Sequence, residues 1–380
     1  MKIAMIGHKR IPSREGGVEI VVEQLAVRMV QQGHTVHAYN RLGKHVSTKK
    51  AGQGIRQKSY QGVCLLRIPT LNIRGLDALL YSVFATLRAL FGGYDVIHYH
   101  SEGPCAMLWL PRLFGIKTVA TIHGLDWQRA KWGGFAKNYL LFGEKTAAKH
   151  AGAVTVLSKN VQDYFKQTYG RDTVFLPNGV VKANNIPAKE IEKEYGLKKD
   201  GYILFLSRLV PEKGLLYLLQ AYRNVDTEVR LVVAGGASHS AEYVEQVQKE
   251  AAKDPRVLMT GFVEGRMLEE LFSNCKLYVL PSDIEGMPIS LLEAMSYGCR
   301  CLTSDIAESV QVIEEYGETF AKGDVRSLQA KLTAMLNNAS RYTPKEISDF
   351  VVKKYNWDSI VSEYIALYST AKQNKKARGK

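Results

Sequence analysis

Four short stretches carry residue types suited to handling a charged, hydroxyl-rich ligand. The densest is Ser282-Asp283-Ile284-Glu285-Gly286-Met287-Pro288-Ile289-Ser290-Leu291-Leu292-Glu293, directly after the apolar run 277–280. Pro288 suits a first helical turn, which places Glu285 in the loop and Glu293 one to two turns into a helix. A helix start near Gly286 can then bind a phosphate, with a carboxylate on either side to accept hydrogen bonds from hydroxyls. The second stretch, Ser207-Arg208-Leu209-Val210-Pro211-Glu212-Lys213-Gly214, pairs a guanidinium fork with an ammonium five residues on, a spacing that can hold one diphosphate around a turn. A surface ion-pair loop would look the same.

The third stretch is Ile122-His123-Gly124-Leu125-Asp126-Trp127, a strand end that delivers a histidine able to donate to a sugar hydroxyl or to a developing charge. The fourth, Arg14-Glu15-Gly16-Gly17 before a helix, allows close backbone approach at a helix N-terminus; alone it is equally a plain tight turn. His98 and His100 fall on one face of a strand. They have no carboxylate at metal spacing, and no metal is expected.

Such loops have to be held at the carboxyl ends of parallel strands, and the rest of the chain reads that way. β-branched runs alternate with helical patterns, giving an α/β class. Strands are expected at 2–7, 35–40, 96–101, 118–124, 153–158 and 174–176, with an amphipathic helix over 18–32, and a second series at 202–209, 229–236, 257–263, 276–282 and 301–304. The chain of 380 residues exceeds what one core supports. The expected layout is a domain over 1–180, a linker over 181–199, a domain over 200–355, a helix over 356–371 that packs back on the first domain, and a basic tail over 372–380. Residues 76–91 read as a core helix, not a membrane wedge, and are too short and too charged to span a bilayer.

The composition, 46% hydrophobic and 23% charged, excludes fibrous and wholly disordered classes. Five cysteines without C-x-x-C spacing exclude a disulfide scaffold and fit a reducing cytoplasm. The apolar run at the start is too short for a signal peptide. The formal charge of +14 is one-sided: residues 1–180 hold 24 Lys/Arg against 10 Asp/Glu, and residues 181–380 hold 27 of each. No acid occurs between Glu23 and Asp77, while Arg28, Arg41, Lys44, Lys49, Lys50, Arg56, Lys58, Arg67 and Arg74 do. Arg129, Lys131 and Lys137 continue the excess. This implies an anionic ligand or surface, or else cations that serve solubility. The neutral second half argues against nucleic acid, no G-x-G-x-x-G follows a strand, and no P-loop motif occurs; Gly52-x-Gly54 lies in a loop.

In order and spacing, Gly16-Gly17, His123-Gly124, Ser207-Arg208 with Lys213-Gly214, and Glu285 with Glu293 resemble the retaining glycosyltransferases of family 4, over about the whole chain. Residues 2–40, 121–132 and 157–164 look more narrowly like the rhamnosyltransferase-type branch of bacterial capsule and exopolysaccharide synthesis. The resemblance implies a GT-B fold, two tandem Rossmann-like domains with a cleft between them, the first for an acceptor and the second for a nucleotide-diphosphate sugar. It implies that Arg208 and Lys213 hold the diphosphate, Glu293 the ribose and Glu285 the donor sugar, with His123 facing its reacting side. Gly16, Gly17, Gly286, Met287, Pro288 and Ile289 would line the donor, and Arg14, Glu19 and Asp126 would meet the acceptor. His123, Glu285, Arg208 and Lys213 form the expected catalytic set.

No cofactor is implied beyond the sugar nucleotide, and no Asp-x-Asp is present to chelate a metal. Where many members of the narrower branch have an aromatic after the glycines, this chain reads Val18-Glu19-Ile20, which bears on acceptor fit. Acceptors of this kind are often polyprenyl diphosphate-linked sugars, so peripheral binding to an anionic inner-leaflet surface is expected. A sugar-nucleotide 2-epimerase of the same fold and a non-catalytic scaffold of a polysaccharide assembly remain alternatives. The epimerase would convert donor without acceptor, and the scaffold would bind no nucleotide.

Overall fold

The computed structural model describes residues 1–43, 57–70, 76–129, 133–236 and 241–371. Lys44, Lys49, Lys50, Arg56, Arg74, Lys131, Gly52, Gly54 and the tail 372–380 lie outside the described residues. The chain forms two compact units. The first comprises Met1–Asn178 with Trp357–Lys380, and the second Gly179–Asn356.

The first unit is built on β1 (Lys2–Ile6), α1 (Gly17–Gln31), β2 (Thr35–Leu42), β3 (Ser59–Tyr60), β4 (Val63–Pro69), α2 (Leu76–Leu90), β5 (Val96–His100), α3 (Glu102–Cys105), α4 (Trp109–Leu113), β6 (Lys117–Ile122), α5 (Gly134–His150), β7 (Ala153–Val156), α6 (Lys159–Tyr169) and β8 (Val174–Phe175). Its sheet runs β3-β4-β2-β1-β5-β6-β7-β8, parallel except for the β3–β4 hairpin. The strand order reverses between β1 and β5, which pair from Ile3 with Val96 to Ile6 with Tyr99. All five residues of β5 are buried, as expected of a central parallel strand covered on both faces.

On one face Tyr81, Ala85 and Ala89 of α2 and Ala147 and Ala148 of α5 pack with Ala4, Ile6, Ile97, Tyr99, Ala120 and Ile122. The expectation of a core helix over 76–91 thus holds for one side of α2 only. Phe84, Leu87 and Phe91 are exposed, because the outward positions of this helix are apolar too.

The second unit contains α7 (Glu190–Tyr195), β9 (Tyr202–Leu206), α8 (Leu215–Arg223), β10 (Arg230–Ala234), α9 (Ala241–Ala251), β11 (Val257–Gly261), α10 (Arg266–Asn274), β12 (Leu277–Leu280), α11 (Ile289–Ser296), β13 (Cys301–Ser304), α12 (Ala307–Ile313), β14 (Glu318–Phe320), α13 (Val325–Asn337) and α14 (Pro344–Lys354). Its all-parallel sheet runs β11-β10-β9-β12-β13-β14 and reverses between β9 and β12. The segment 181–199, read from sequence as a linker, lies within this unit. The buried Glu270 carboxylate accepts the backbone N–H groups of Lys189, Glu190 and Ile191 at 2.8, 2.7 and 3.1 Å and so fixes the start of α7.

The last helix, α15 (Trp357–Thr370), belongs to the first unit and packs on α1. Arg28 Nε donates to Asp358 at 3.0 Å, and Lys117 Nζ donates to the carbonyls of Tyr368 and Ser369 at 3.2 and 2.8 Å.

Candidate active site

In open parallel sheets, ligands bind beyond the carboxyl ends of the strands at the point where the order reverses. In the second unit those strands are β9 and β12. The loops that leave them are the Arg208–Lys213 stretch and the Asp283–Pro288 stretch. Gly214 closes the first loop at φ 65°, and a Cβ there would lie 1.9 Å from the carbonyl oxygen of Pro281, at the start of the second. Only glycine lets these two loops approach so closely. The approach brings Lys213 Nζ to 2.5 Å from Glu285 Oε1, with the two side chains 14% and 7% exposed. Ser282 Oγ donates to the same oxygen at 2.7 Å. Two donors therefore share Oε1, an arrangement suited to a hydrogen-bonding carboxylate and not to an unencumbered nucleophile.

Gly286, Met287 and Pro288 of the second loop are buried, and Arg208 of the first is half-buried. Pro288 is the residue before α11, with Ile289 its first helical position, and no side chain caps this helix start. The first-turn position expected for Pro288 is thus off by one. The half-buried Glu293 sits on the second turn of α11. Buried Tyr278, whose OH lies 2.8 Å from Ser290 Oγ, has its phenol held well above the ordinary value by burial, and the charges of Glu285 and Glu293 act in the same direction.

In the first unit the reversal lies at β1 and β5. Gly7, directly after β1, has φ 127°, and a Cβ there would lie 2.1 Å from His100 O. His8 follows, fully buried. Asn40 has its amide oriented by Ile11, whose N–H donates to Oδ1 at 3.1 Å and whose carbonyl accepts from Nδ2 at 2.9 Å. Oδ1 is therefore an acceptor, His8 Nε2 at 2.9 Å donates to it, and His8 carries its lone pair on Nδ1, which has no hydrogen-bond partner.

From β5 and β6, His98, His100 and His123 form a buried row. Ring centroids are 4.0 Å apart for the first two and 5.3 Å for the last two, and His100 Nδ1 lies 3.1 Å from His123 Nε2. His100 Nε2 has no partner. An unpaired lone pair is cheaper to bury than an unpaired N–H, so Nδ1 of His100 carries the proton and donates to His123. His123 then has its own proton on Nδ1 and presents a donor there. Burial lowers all four histidines: His8 and His123 to about 4, His98 to about 3, and His100 well below its ordinary value. All are neutral at pH 7. His98 is tied to Tyr368 OH at 2.7 Å and Thr121 Oγ1 at 2.6 Å.

Among the expected acceptor residues, Glu19 and Asp126 both act electrostatically on His123. Glu19 is also structural. Its Oε1 accepts the Lys9 N–H at 2.8 Å, and its Oε2 occupies the space that a Cβ on Gly16 would need, at 2.3 Å. Gly16 is the extended residue before α1 and Gly17 the first residue of that helix. Asp126 pairs with Arg129 at 3.1 Å. Arg14 is exposed and acts electrostatically on Glu23 and Tyr60.

Sequence reasoning missed two fully buried acids. Glu102, just after β5, receives the Asp126 N–H at 3.0 and 3.1 Å. Glu144 of α5 receives Trp127 Nε1 at 3.1 Å and the hydroxyls of Tyr164 and Tyr169 at 2.8 and 2.6 Å. Burial, with the charges of Asp126 and Glu144 added, holds the Glu102 carboxyl well above the ordinary range. The two acids are 42 positions apart in sequence, and no short motif links them. Among the described residues no group of three His, Cys, Asp or Glu side chains is placed to hold a metal ion.

Two Rossmann-like units, one with a cation and carboxylate pair at its strand-order reversal and the other with a neutral histidine row at its own, define an enzyme architecture for group transfer from a charged ligand. Residues 15–183 match the family Glycosyltransferase Family 4 and residues 187–357 match Glycosyl transferases group 1, so the chain is a glycosyltransferase with the GT-B fold.

An uncharacterised glycosyltransferase of Methanocaldococcus jannaschii is 24% identical, over 98% of this chain and 98% of its own length. O-antigen chain mannosyltransferase B of Escherichia coli is also 24% identical, over 53% of this chain and 55% of its own length. The Anabaena protein HepE, solved in complex with UDP and glucose, has the same fold, with a TM-score of 0.79 and 16% identity over 97% of this chain and all of the other.

Proposed function

We propose that the protein moves a sugar from a nucleoside-diphosphate sugar to a hydroxyl of a lipid-linked saccharide, with retention of anomeric configuration, at the inner face of the cytoplasmic membrane during synthesis of a cell-surface polysaccharide such as capsule or exopolysaccharide. The observation that carries this reading is the pairing of Lys213 with Glu285 across the loops of β9 and β12, with Arg208 on the first of these loops, where a diphosphate would find cations and a sugar hydroxyl an acceptor. The UDP and glucose in the Anabaena structure and the polysaccharide named for the Escherichia coli relative support the donor class and the setting.

In this reading bond cleavage leaves positive charge at the anomeric carbon and negative charge on the departing diphosphate. Arg208, Lys213 and the backbone that leads from Gly286 into the start of α11 at Ile289 meet the negative charge without a metal ion, and Glu293 holds the ribose. The Nδ1–H of His123 donates on the reacting side of the sugar. The acceptor hydroxyl attacks from the face that the diphosphate leaves and gives its proton to that leaving group, so Glu285 orients the sugar and forms no bond to it. A sugar of the rhamnosyl or hexosyl type fits this scheme.

The test is a thermal-shift panel of UDP, GDP, ADP and dTDP with their sugar conjugates, on wild type and Arg208→Ala, followed by NMR assignment of the product anomer. One nucleotide should stabilise the wild type and not the variant, and the product should keep the donor configuration. No shift with any nucleotide, or conversion of the donor without acceptor, overturns the reading.

A further inference from the structure

We propose that the outer side of α2, α4 and α5 in the first unit is the surface that docks on an anionic bilayer. The inference deepens the membrane part of the proposed function and rests on it. Of the seven exposed Phe and Trp side chains among the described residues, six lie on or directly after these three helices. Scattered single apolar residues are normal on a protein surface; a clustering of this kind marks an interaction site.

The helices form one layer, since α4 packs against both α2 and α5. Each turns a regular stripe outward. On α2 the exposed positions are Phe84, Leu87 and Arg88, continued by Phe91 at 89% exposure. These fall three and four residues apart, on one side of the helix. On α5 they include Phe135, at 76% exposure, Phe142, Lys145 and Lys149. Leu113 and the following Phe114 stand out from the end of α4.

Charge selects the occupant. The cations Arg88, Lys137, Lys145 and Lys149 are exposed among the apolar groups. The only acids on the three helices are Asp77, paired with Arg41 at 3.5 Å, and the buried Glu144. A second copy of the chain docked face to face would set cations against cations with no carboxylate between them. An anionic lipid surface meets the same pattern with headgroup phosphates for the lysines and the acyl boundary for the phenylalanines, which is the chemistry of helices lying in a membrane interface. No helix among the described residues is long and apolar enough to cross a membrane, so binding through this surface is peripheral.

The experiment is co-sedimentation of the full chain with phosphatidylcholine vesicles and with vesicles rich in phosphatidylglycerol, at low and high salt, with no sugar nucleotide present. Wild type should pellet with the anionic vesicles and be released in part by salt. Phe91→Ser/Phe135→Ser/Phe142→Ser and, separately, Lys145→Glu/Lys149→Glu should each lower the partition coefficient at least about tenfold. Phe262→Ser, an exposed site in the second unit, should not.

The thermal shift with nucleotide, read on the same variants, should be unchanged. If vesicle binding fails while nucleotide binding persists, this inference falls and the proposed reaction stands. The inference also falls if wild type ignores anionic vesicles, or if binding survives both sets of substitutions and is lost on removing residues 372–380. A concentration-dependent dimer that the phenylalanine substitutions dissolve would replace the bilayer with a second copy.

Discussion

Lys213 and Glu285, 72 positions apart, form a 2.5 Å ion pair across the two loops at which the second unit's sheet reverses its strand order. In the proposed reading, the ammonium that would meet a diphosphate is therefore already paired in the free protein, and a nucleotide would have to draw it from the carboxylate or share it.

The pair predicts opposite effects for its two members. Glu285→Gln leaves a largely buried Lys213 without its counter-charge and should cost about 2–4 kcal/mol of stability in urea titrations. It should nevertheless keep or tighten nucleoside-diphosphate affinity, because the ammonium no longer has to be shared, while transfer falls about a hundredfold. Lys213→Ala should weaken the same affinity about tenfold or more. Calorimetric titration with the nucleotide that stabilises the wild type separates the two. If Glu285→Gln weakens binding as much as Lys213→Ala does, the carboxylate holds nucleotide directly and the sharing argument is wrong.

This relationship was half legible in the sequence. The loops were, because a Gly-x-Pro flanked by acids and an Arg with a Lys-Gly each follow an apolar strand. The pairing was not, because it depends on Gly214 lying against Pro281, and no spacing reports which loops become neighbours. The alternating architecture was legible from β-branched runs, whereas β3 and β14, two and three residues long, are too short to leave a periodic trace. Periodicity found α2 but could not choose its inner face, since Tyr81 and Ala85 point in while Phe84 and Leu87 point out and all four are apolar. Glu102 and Glu144 gave no signal at all, because a buried acid is recognisable only through its partners.

The His100–His123 contact makes a prediction about tautomers. With His100 Nδ1–H donating to His123 Nε2, His123 is held as the Nδ1–H form. Long-range 15N NMR on histidine-labelled protein should show that tautomer in the wild type. His100→Leu removes the donor and should let the His123 proton redistribute, with kcat reduced about tenfold and the KM for the donor little changed. His100→Asn, whose amide can still donate, should restore both the NMR signature and most of the rate. A leucine variant that folds, keeps the wild-type tautomer and keeps its rate would remove His100 from any positioning role.

Glu102 predicts a pH dependence of stability. Its carboxyl is fully buried, with Asp126 and Glu144 beside it, and holds its proton above the ordinary value of 4.5. As pH rises from 4.5 toward the folded value, the unfolded chain releases that proton first, so the folded state loses stability across the window, by up to about 1.4 kcal/mol per pH unit, and the loss is complete above it. The buried histidines work in the opposite sense. Their lowered values make the unfolded chain the better proton acceptor below 6.5, so their contribution is present above 6.5 and lost as pH falls through about 4. The two effects overlap between 4.5 and 6.5 and can cancel in the wild type alone. Glu102→Gln separates them. The amide mimics the protonated acid, so wild type and variant should unfold at similar urea concentrations at pH 4.5, and the variant should become progressively more stable than wild type as pH rises to 8. Curves that stay parallel over that range would mean that Glu102 is ionised in the folded protein and that its burial does not hold the proton.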